Sequence, residues 1–534
     1  MKRRLVTALA FALAGAAPAA FAQPAEEPAP PPAPAEPAPP APSAPESEPT
    51  EPAPAPETPA TPPEPSAPAS ETTPAATPTK VGATPAAAEE EAEAESTSWF
   101  ERAPLAATVG KGERQLRLTL YGFIQADFIH DTTRSYEDAI GTSLVQRTDT
   151  FEGKEGRTQF STRNTRIGLL FEAPNATGVR PSAVFEGDFF GNQPPDADES
   201  DFYDSPTFRL RHAYLNLEIE SAFDVLVGQT YDVFGWQNYF FPATAEFLGI
   251  PSSVFSRNTQ FRLSRAFGKT GPIGLDIAAA AVRPAQRDSS IPDGNAGLRL
   301  RLNDWKGLRM PGNGNVDALP LAIGVSGVFR QFKVDAFTPP PTQNSNSVTG
   351  WGVSVDALVP VIPAKNSYDR GNRLTLTGSF VTGTGIGDLI SATGGATFPT
   401  LPNPAQANPP PEYDGNIDPG LVSFDTQGVL HTIDWQAFGV GLQYYLPPSG
   451  RVILAANYTQ AHSKNMDELF PRGGAEIELL VRVADRQRYA DVSLFWDATP
   501  AVRFGLSGSY TMVRYLDGDE PHNWRGRFQA MYFF

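Results

Sequence analysis

Arginine is the residue whose spacing suggests chemistry in this sequence. Arg209 and Arg211, Arg299 and Arg301, and Arg525 and Arg527 each stand two apart in stretches that alternate apolar and polar residues. A guanidinium stays charged at any physiological pH and grips a carboxylate or phosphate through its planar fork. On an extended chain, residues two apart point to one side. Alternation puts Arg166, Arg262, Arg299, Arg301, Arg373, Arg503, Arg525 and Arg527 on the polar faces of their segments. Glu172, Glu186, Asp188, Asp356 and Asp491 share those faces. Two roles are open: a cationic ladder that receives anions, or ion pairs that brace a wall. Arg209 and Arg211 rank lower, because they fall in phase with Leu215 and Leu217.

Other chemistry is thin. Asp414, Asn416 and Asp418 place three oxygen ligands at alternate positions, a weak Ca²⁺ candidate, and Asp196, Asp198, Glu199, Asp201 and Asp204 form a second acidic cluster. Neither continues into a full binding loop, so a solvated acidic loop is the better reading and no metal is expected. The five histidines (His130, His212, His431, His462 and His522) lack metal-ligand spacing, and there is no cysteine. No G-x-S-x-G or P-loop occurs, and Gly383 to Gly387 closes a strand instead of opening a helix. An enzyme is therefore not expected, nor a cofactor, nor a nucleic-acid partner for a chain of net charge -18.

The elements that must carry the arginines follow from composition and period. Lys2-Arg3-Arg4, an apolar stretch to Ala20 and Ala20-Phe21-Ala22 read as a signal peptide over 1–22. Residues 23–97 read as a disordered Pro/Ala/Glu-rich arm. Its span 24–95 holds fourteen acids, one base and no aromatic residue, which leaves -8 on 96–534 once the +3 of the signal is counted. Dense proline keeps such an arm extended, as a spacer or as a tether toward peptidoglycan. A connecting segment, 98–115, precedes the folded part.

From Leu116 to Phe534, segments of about ten residues alternate apolar and polar side chains. Sixteen strands are expected at 116–130, 160–174, 180–191, 207–219, 222–232, 258–267, 271–283, 295–304, 319–334, 348–360, 372–384, 432–446, 449–463, 486–498, 500–515 and 522–534. Short connections alternate with long polar or Gly/Pro-rich ones, as in an outer-membrane barrel whose apolar face meets lipid. Two presumed inner turns, 305–318 and 361–371, are long for that scheme. The last strand alternates Trp524, Gly526, Phe528, Ala530, Tyr532 and Phe534 with polar residues, and its terminal Phe resembles the signal read by the barrel assembly machinery. The expected fold is all-β: a 16-stranded antiparallel transmembrane β-barrel in the bacterial outer membrane behind a disordered Pro-rich arm.

Tyr121-Gly122-Phe123-Ile124, Arg163 to Gly168, Phe185 to Gly191, Phe208 to Tyr214, Val227 to Thr230 and Pro251 to Arg262 resemble the DcaP-like trimeric porins over roughly 118–265. The resemblance implies a homotrimer, a third loop folded inward and a preference for small anionic solutes such as dicarboxylates. Loop 233–257, with Phe234, Trp236, Tyr239, Phe240, Phe241 and Phe247, is too apolar for free solvation and is the expected constriction. The alternative is a plugged, structural barrel that ties outer membrane to cell wall through the arm.

Overall fold

Alternating strands can put one face in lipid and the other around a shared interior only if no edge stays open. The computed structural model satisfies that condition. It describes residues 105–534 except 111–114, 142, 192–205, 221, 247–248, 311–314, 337–341, 394–395, 397–415, 426–428 and 471–480. The signal and arm, Phe247, Asp414 and the acidic cluster at 196–204 lie outside the described residues.

Sixteen antiparallel strands form the wall. They are β1 Leu116–Asp131, β2 in two pieces (Arg157–Ser161 and Arg166–Glu172), β3 Val179–Asp188, β4 Arg209–Ile219, β5 Asp224–Tyr231, β6 Arg257–Phe267, β7 Ile273–Val282 and β8 Asp293–Arg309. β9 Asp317–Ala336, β10 Thr342–Ile362, β11 Arg373–Thr384, β12 Asp434–Tyr445, β13 Val452–Ser463, β14 Ala484–Thr499, β15 Val502–Tyr515 and β16 His522–Phe533 complete it. Each strand pairs with the next, and β16 returns to β1 with Phe533 opposite Phe123 and Arg525 opposite Asp131. Phe534 and Gly122 exchange backbone hydrogen bonds of 3.2 Å at the end of that seam, and the Phe123 and Phe533 rings meet edge to face at 5.8 Å.

β16 stops level with Phe123, so the first residues of β1 would lack a partner on that side. Leu105–Val109 supplies one, pairing antiparallel with Leu116–Leu120. This strand falls in the connecting segment 98–115, where the sequence suggested none.

The outer face carries exposed Ile124, Phe128, Leu298, Leu300, Val353, Val355, Leu494, Leu506 and Phe528, while Gln125, Asp127, Asn295, Ser354, Asp491, Arg525 and Arg527 between them are buried inside. Aromatic rings collect toward each end of the belt: Trp496 stacks on Phe504 at the short-turn end, and Tyr510 meets Trp524 at the long-loop end. Apolar belt and aromatic girdles are what an outer-membrane barrel presents to lipid.

The observed strands follow the expected ones closely, with two instructive departures. Thr162–Thr165 interrupts β2, because four residues there oppose three of β1. Asn164 turns its amide onto the Gln125 side chain and Thr165 its hydroxyl onto the Gln125 backbone. β8 runs on to Arg309 through an irregularity between Leu302 and Lys306, which shortens the long inner turn expected at 305–318.

The long connections are L1 (132–156), L3 (232–256), L6 (385–433) and L7 (464–483), all at one end; L2 (189–208), L4 (283–292) and L8 (516–521) share that end. L1 and L8 are clamped together. Arg147 makes two hydrogen bonds to the Asp517 carboxylate, 2.7 and 3.1 Å, and Thr148 makes two to Asp519. The Arg147 hydrogen bond holds the Asp517 carboxyl below the usual carboxylate range. The tie is therefore complete above about pH 4, the ordinary aspartate value, and is lost as pH falls through the lowered one. Hydrogen exchange in detergent is expected to show L1 and L8 amides protected at neutral pH and released only in strong acid. Asp517→Asn should release them at neutral pH; protection unchanged in that variant would refute the clamp.

Candidate functional site

The interior is built from inward side chains of the wall and from loops that fold down onto it. L3 leaves β5 and enters the lumen at a short 3₁₀ turn, Phe234–Trp236. Trp236 donates to the carbonyls of Leu298 and Val325, at 3.0 and 3.3 Å, and Tyr239 donates to Pro320 at 2.8 Å. Gly297 and Gly324 make room for this. A Cβ at Gly297 would lie 2.7 Å from the Trp236 indole nitrogen, and one at Gly324 2.8 Å from the Phe240 ring.

The loop then crosses to the far wall. Thr244 donates to Asp491 at 2.5 Å, Asn457 to the Ala243 carbonyl at 2.7 Å, and Arg527 to the Ala245 carbonyl and the Glu246 carboxylate at 2.7 and 3.0 Å. Glu246 is buried among Arg525 and Arg527. Phe234, Trp236, Tyr239, Phe240 and Phe241 therefore all sit on a loop anchored at both sides of the lumen.

L6 folds in beside it. Ser252 N donates to Ser391 O, Ser391 N to Ser253 O, and Phe255 N to Leu389 O, each at 2.8–3.0 Å, so the two loops form a short backbone ladder. Ile386, Leu389, Ile390 and Ala392 of L6 pack with Phe234, Ile250 and Val254 of L3, with Tyr136 and Ile140 of L1, and with Met466 and Phe470 of L7. This apolar mass rests on inward Val381, Trp435, Ala437, Ala461, Tyr489 and Val513 of β11–β15. The sequence reading named L3 and missed L6. Ile386, Leu389 and Ile390, close together in a long Gly/Pro-rich loop, were the available signal.

Seven of the eight arginines singled out by alternation meet a partner carboxylate. Arg166 lies 3.6 Å from Glu186, Arg299 and Arg301 each 2.8 Å from Asp276, and Arg373 2.5 Å from Asp369. Arg503 is 2.6 Å from Asp497, Arg525 2.8 Å from Asp131, and Arg527 3.0 Å from Glu246. Arg262 hydrogen-bonds Gln260 and the Tyr231 carbonyl. Arg299 also lies under two L3 rings, its guanidinium 4.7 Å from the Trp236 centroid and 4.0 Å from that of Tyr239. Glu172, by contrast, sits half exposed at the short-turn end, 3.9 Å from Arg117.

Arg209 and Arg211 were ranked low on phase, and the structure shows why phase misleads there. Glu186 pairs with His212 and Gly187 with Leu210, so Arg211 is the extra residue of a β-bulge. The bulge turns Arg211 and His212 to the same side while leaving Leu210 and Leu215 outward and exposed. Arg211 bonds Glu186 at 2.8 Å and Asp188 at 2.9 Å, and Arg209 bonds Asp188 at 2.6 Å. Beyond the bulge, His212 meets Thr230 at 3.1 Å.

The weak Ca²⁺ candidate is occupied by protein groups where it is described. Arg287 holds Asp418 at 2.5 Å and Asn416 donates to Asp288 at 3.1 Å. Among the described residues no group of three His, Cys, Asp or Glu is arranged to hold a metal ion.

No protein-family profile matches the sequence, and a search of curated proteins finds no match. Solved structures do resemble it. The outer membrane channel DcaP of Acinetobacter baumannii superposes with a TM-score of 0.55 at 16% identity, over 78% of this chain and 97% of that one. An anion-selective porin from Comamonas acidovorans gives 0.43 at 10% identity, over 78% and 100%. The trimer form of OmpT, an outer membrane protein of Vibrio cholerae, gives 0.42 at 11%, over 78% and 99%. The sequence motifs, the closed 16-stranded wall and the superposition on DcaP agree, and the chain has the fold of a DcaP-like outer-membrane porin.

Proposed function

We propose that this protein is an outer-membrane porin that lets small hydrophilic, anionic solutes of the dicarboxylate type diffuse passively through the barrel, and that it assembles as a homotrimer. The observation that carries this reading is the asymmetry of the interior. Loops fill the lumen against β11–β15 with apolar side chains, whereas the inner face of β2–β6 stays charged and rich in arginine. Arginines on a pore wall replace part of an anion's hydration shell, and the inward loops set the size limit. The assembly machinery that reads the terminal strand, and peptidoglycan as a contact of the arm, belong to the same proposal.

A second reading, the plugged structural barrel, draws on the same apolar loop mass. The two separate in a planar bilayer. A porin of this kind conducts, and across a KCl gradient its reversal potential lies toward the chloride limit. Cation preference would overturn the anionic reading, and absence of any conductance would favour the plugged barrel.

A further inference from the structure

Arginines inside a barrel differ by what already neutralises them. Arg166, Arg209 and Arg211 share Glu186 and Asp188, so their forks are largely engaged by the wall. Arg257, at the start of β6 where L3 rejoins the barrel, is different. Its Nε and Nη1 are buried and have no hydrogen-bond partner, and no carboxylate lies within ion-pair distance of it among the described residues. The side chain is held by ring faces instead. Its guanidinium carbon is 5.8 Å from the Tyr231 centroid and 5.7 Å from that of Phe255. These rings and Phe241 form a tight trio, with centroids 5.2, 5.7 and 6.1 Å apart. Arg211, Arg209 and Asp188 are among the groups whose charges reach Arg257. Among the described residues, Arg166, Arg209 and Arg211 thus share two carboxylates, Glu186 and Asp188, and Arg257 adds a fourth guanidinium near Asp188.

A desolvated cation beside other cations is costly unless an anion completes it. Cation–π contact with Tyr231 and Phe255 offsets part of that cost but supplies no hydrogen-bond acceptor. We infer that Arg257 is an anion-binding residue of the pore: it takes one small anion, a halide or the carboxylate of a solute, beside the L3 aromatic trio. The paired arginines hold the wall in shape, whereas Arg257, among the described residues of the β2–β6 face, keeps two buried nitrogens without a partner. This assignment rests on the porin reading only for its consequence in transport. The binding itself stands on the unsatisfied nitrogens and the charge excess.

The test has two readouts. Crystals of the full-length protein soaked in bromide should show an anomalous peak within hydrogen-bond reach of Arg257; bromide bound elsewhere in the lumen but not there overturns the assignment. In planar bilayers, Arg257→Gln should lower the chloride-over-potassium permeability ratio several-fold, and Arg257→Lys should keep most of it. Potassium acetate in place of KCl separates a carboxylate site from a halide-only site: a site for both loses selectivity in both salts. An unchanged ratio in a folded, conducting Arg257→Gln protein sinks the proposal. If the wild type conducts no ions at all, the porin reading fails while the bromide peak still decides Arg257.

Discussion

Excising residues 388–419 of L6 and joining the ends with a short Gly/Ser linker is expected to raise single-channel conductance several-fold and to weaken ion selectivity. The described residues of L6 hold no barrel strand, and they reach the wall through two apolar clusters, the Arg330–Asp388 ion pair and hydrogen bonds from Trp435 and Ala484. Removing it takes Leu389, Ile390 and Ala392 out of the lumen and leaves L3 with its wall anchors at Asp491 and Arg527 but without its inner neighbour. The strand pairing of the wall is kept, because β11 already pairs with β12 from Arg373 to Thr384 without help from the loop, while the buried Arg330 of β9 loses Asp388 and keeps Asp293. Pore conductance in planar bilayers measures the effect directly. An unchanged conductance would mean that L6 does not limit the pathway. Loss of a folded barrel, seen as loss of heat-modifiable migration on a gel, would mean that the loop belongs to the folding core.

Asp131→Ala is expected to be the most damaging single substitution at the seam. Asp131 and Arg525 are both fully buried, bonded through two oxygens at 2.8 and 2.9 Å, and Asn523 adds a third bond to Asp131 at 2.8 Å. These residues face each other where β16 closes onto β1. Taking away the acid strips Arg525 of its two-oxygen partner, leaving it the Glu137 and Asp138 carbonyls and Glu246 at 3.7 Å, and leaves the buried Asn523 amide without the acid it donates to. Breaking such a pair from one side costs about 3–5 kcal/mol. Replacing both partners with apolar residues of similar size, Asp131→Leu with Arg525→Met, should recover much of that loss, since no lone charge then remains buried. Denaturant titration of the refolded barrel in detergent, read as a double-mutant cycle, gives both numbers. If Asp131→Ala unfolds at the wild-type denaturant concentration, the pair is not what holds the seam.

How far the sequence reached differs between wall and interior. A strand in a lipid-facing barrel has one apolar side whatever its neighbours, so alternation alone exposes it. That is why Leu298, Leu300 and Leu302, or Trp524, Phe528 and Tyr532, were readable as outward rows, and why the sixteen segments could be placed to within a few residues. Phase fails where one extra residue enters a strand. Arg211 shows this most clearly: the bulge opposite Glu186 and Gly187 reverses the alternation, and no rule of period two can foresee which residue is extra. The strand at Leu105–Val109 escaped for a related reason, because its need arises only from where β16 happens to end.

By itself, then, the sequence determined the barrel, its inward arginines and an aromatic third loop, because each rests on local composition or on the two-residue repeat of an extended chain. Only the tertiary structure decided what those arginines do. Whether a guanidinium is braced or free depends on which carboxylate stands opposite on a strand tens or hundreds of residues away, as Asp131 does for Arg525. Arg257 is known to be unsatisfied only once Glu186, Asp188, Tyr231 and Phe255 are placed around it. The second inward loop was hidden for the same reason: Ile386, Leu389 and Ile390 look like any scattered apolar residues of a loop until the lumen they fill has been built.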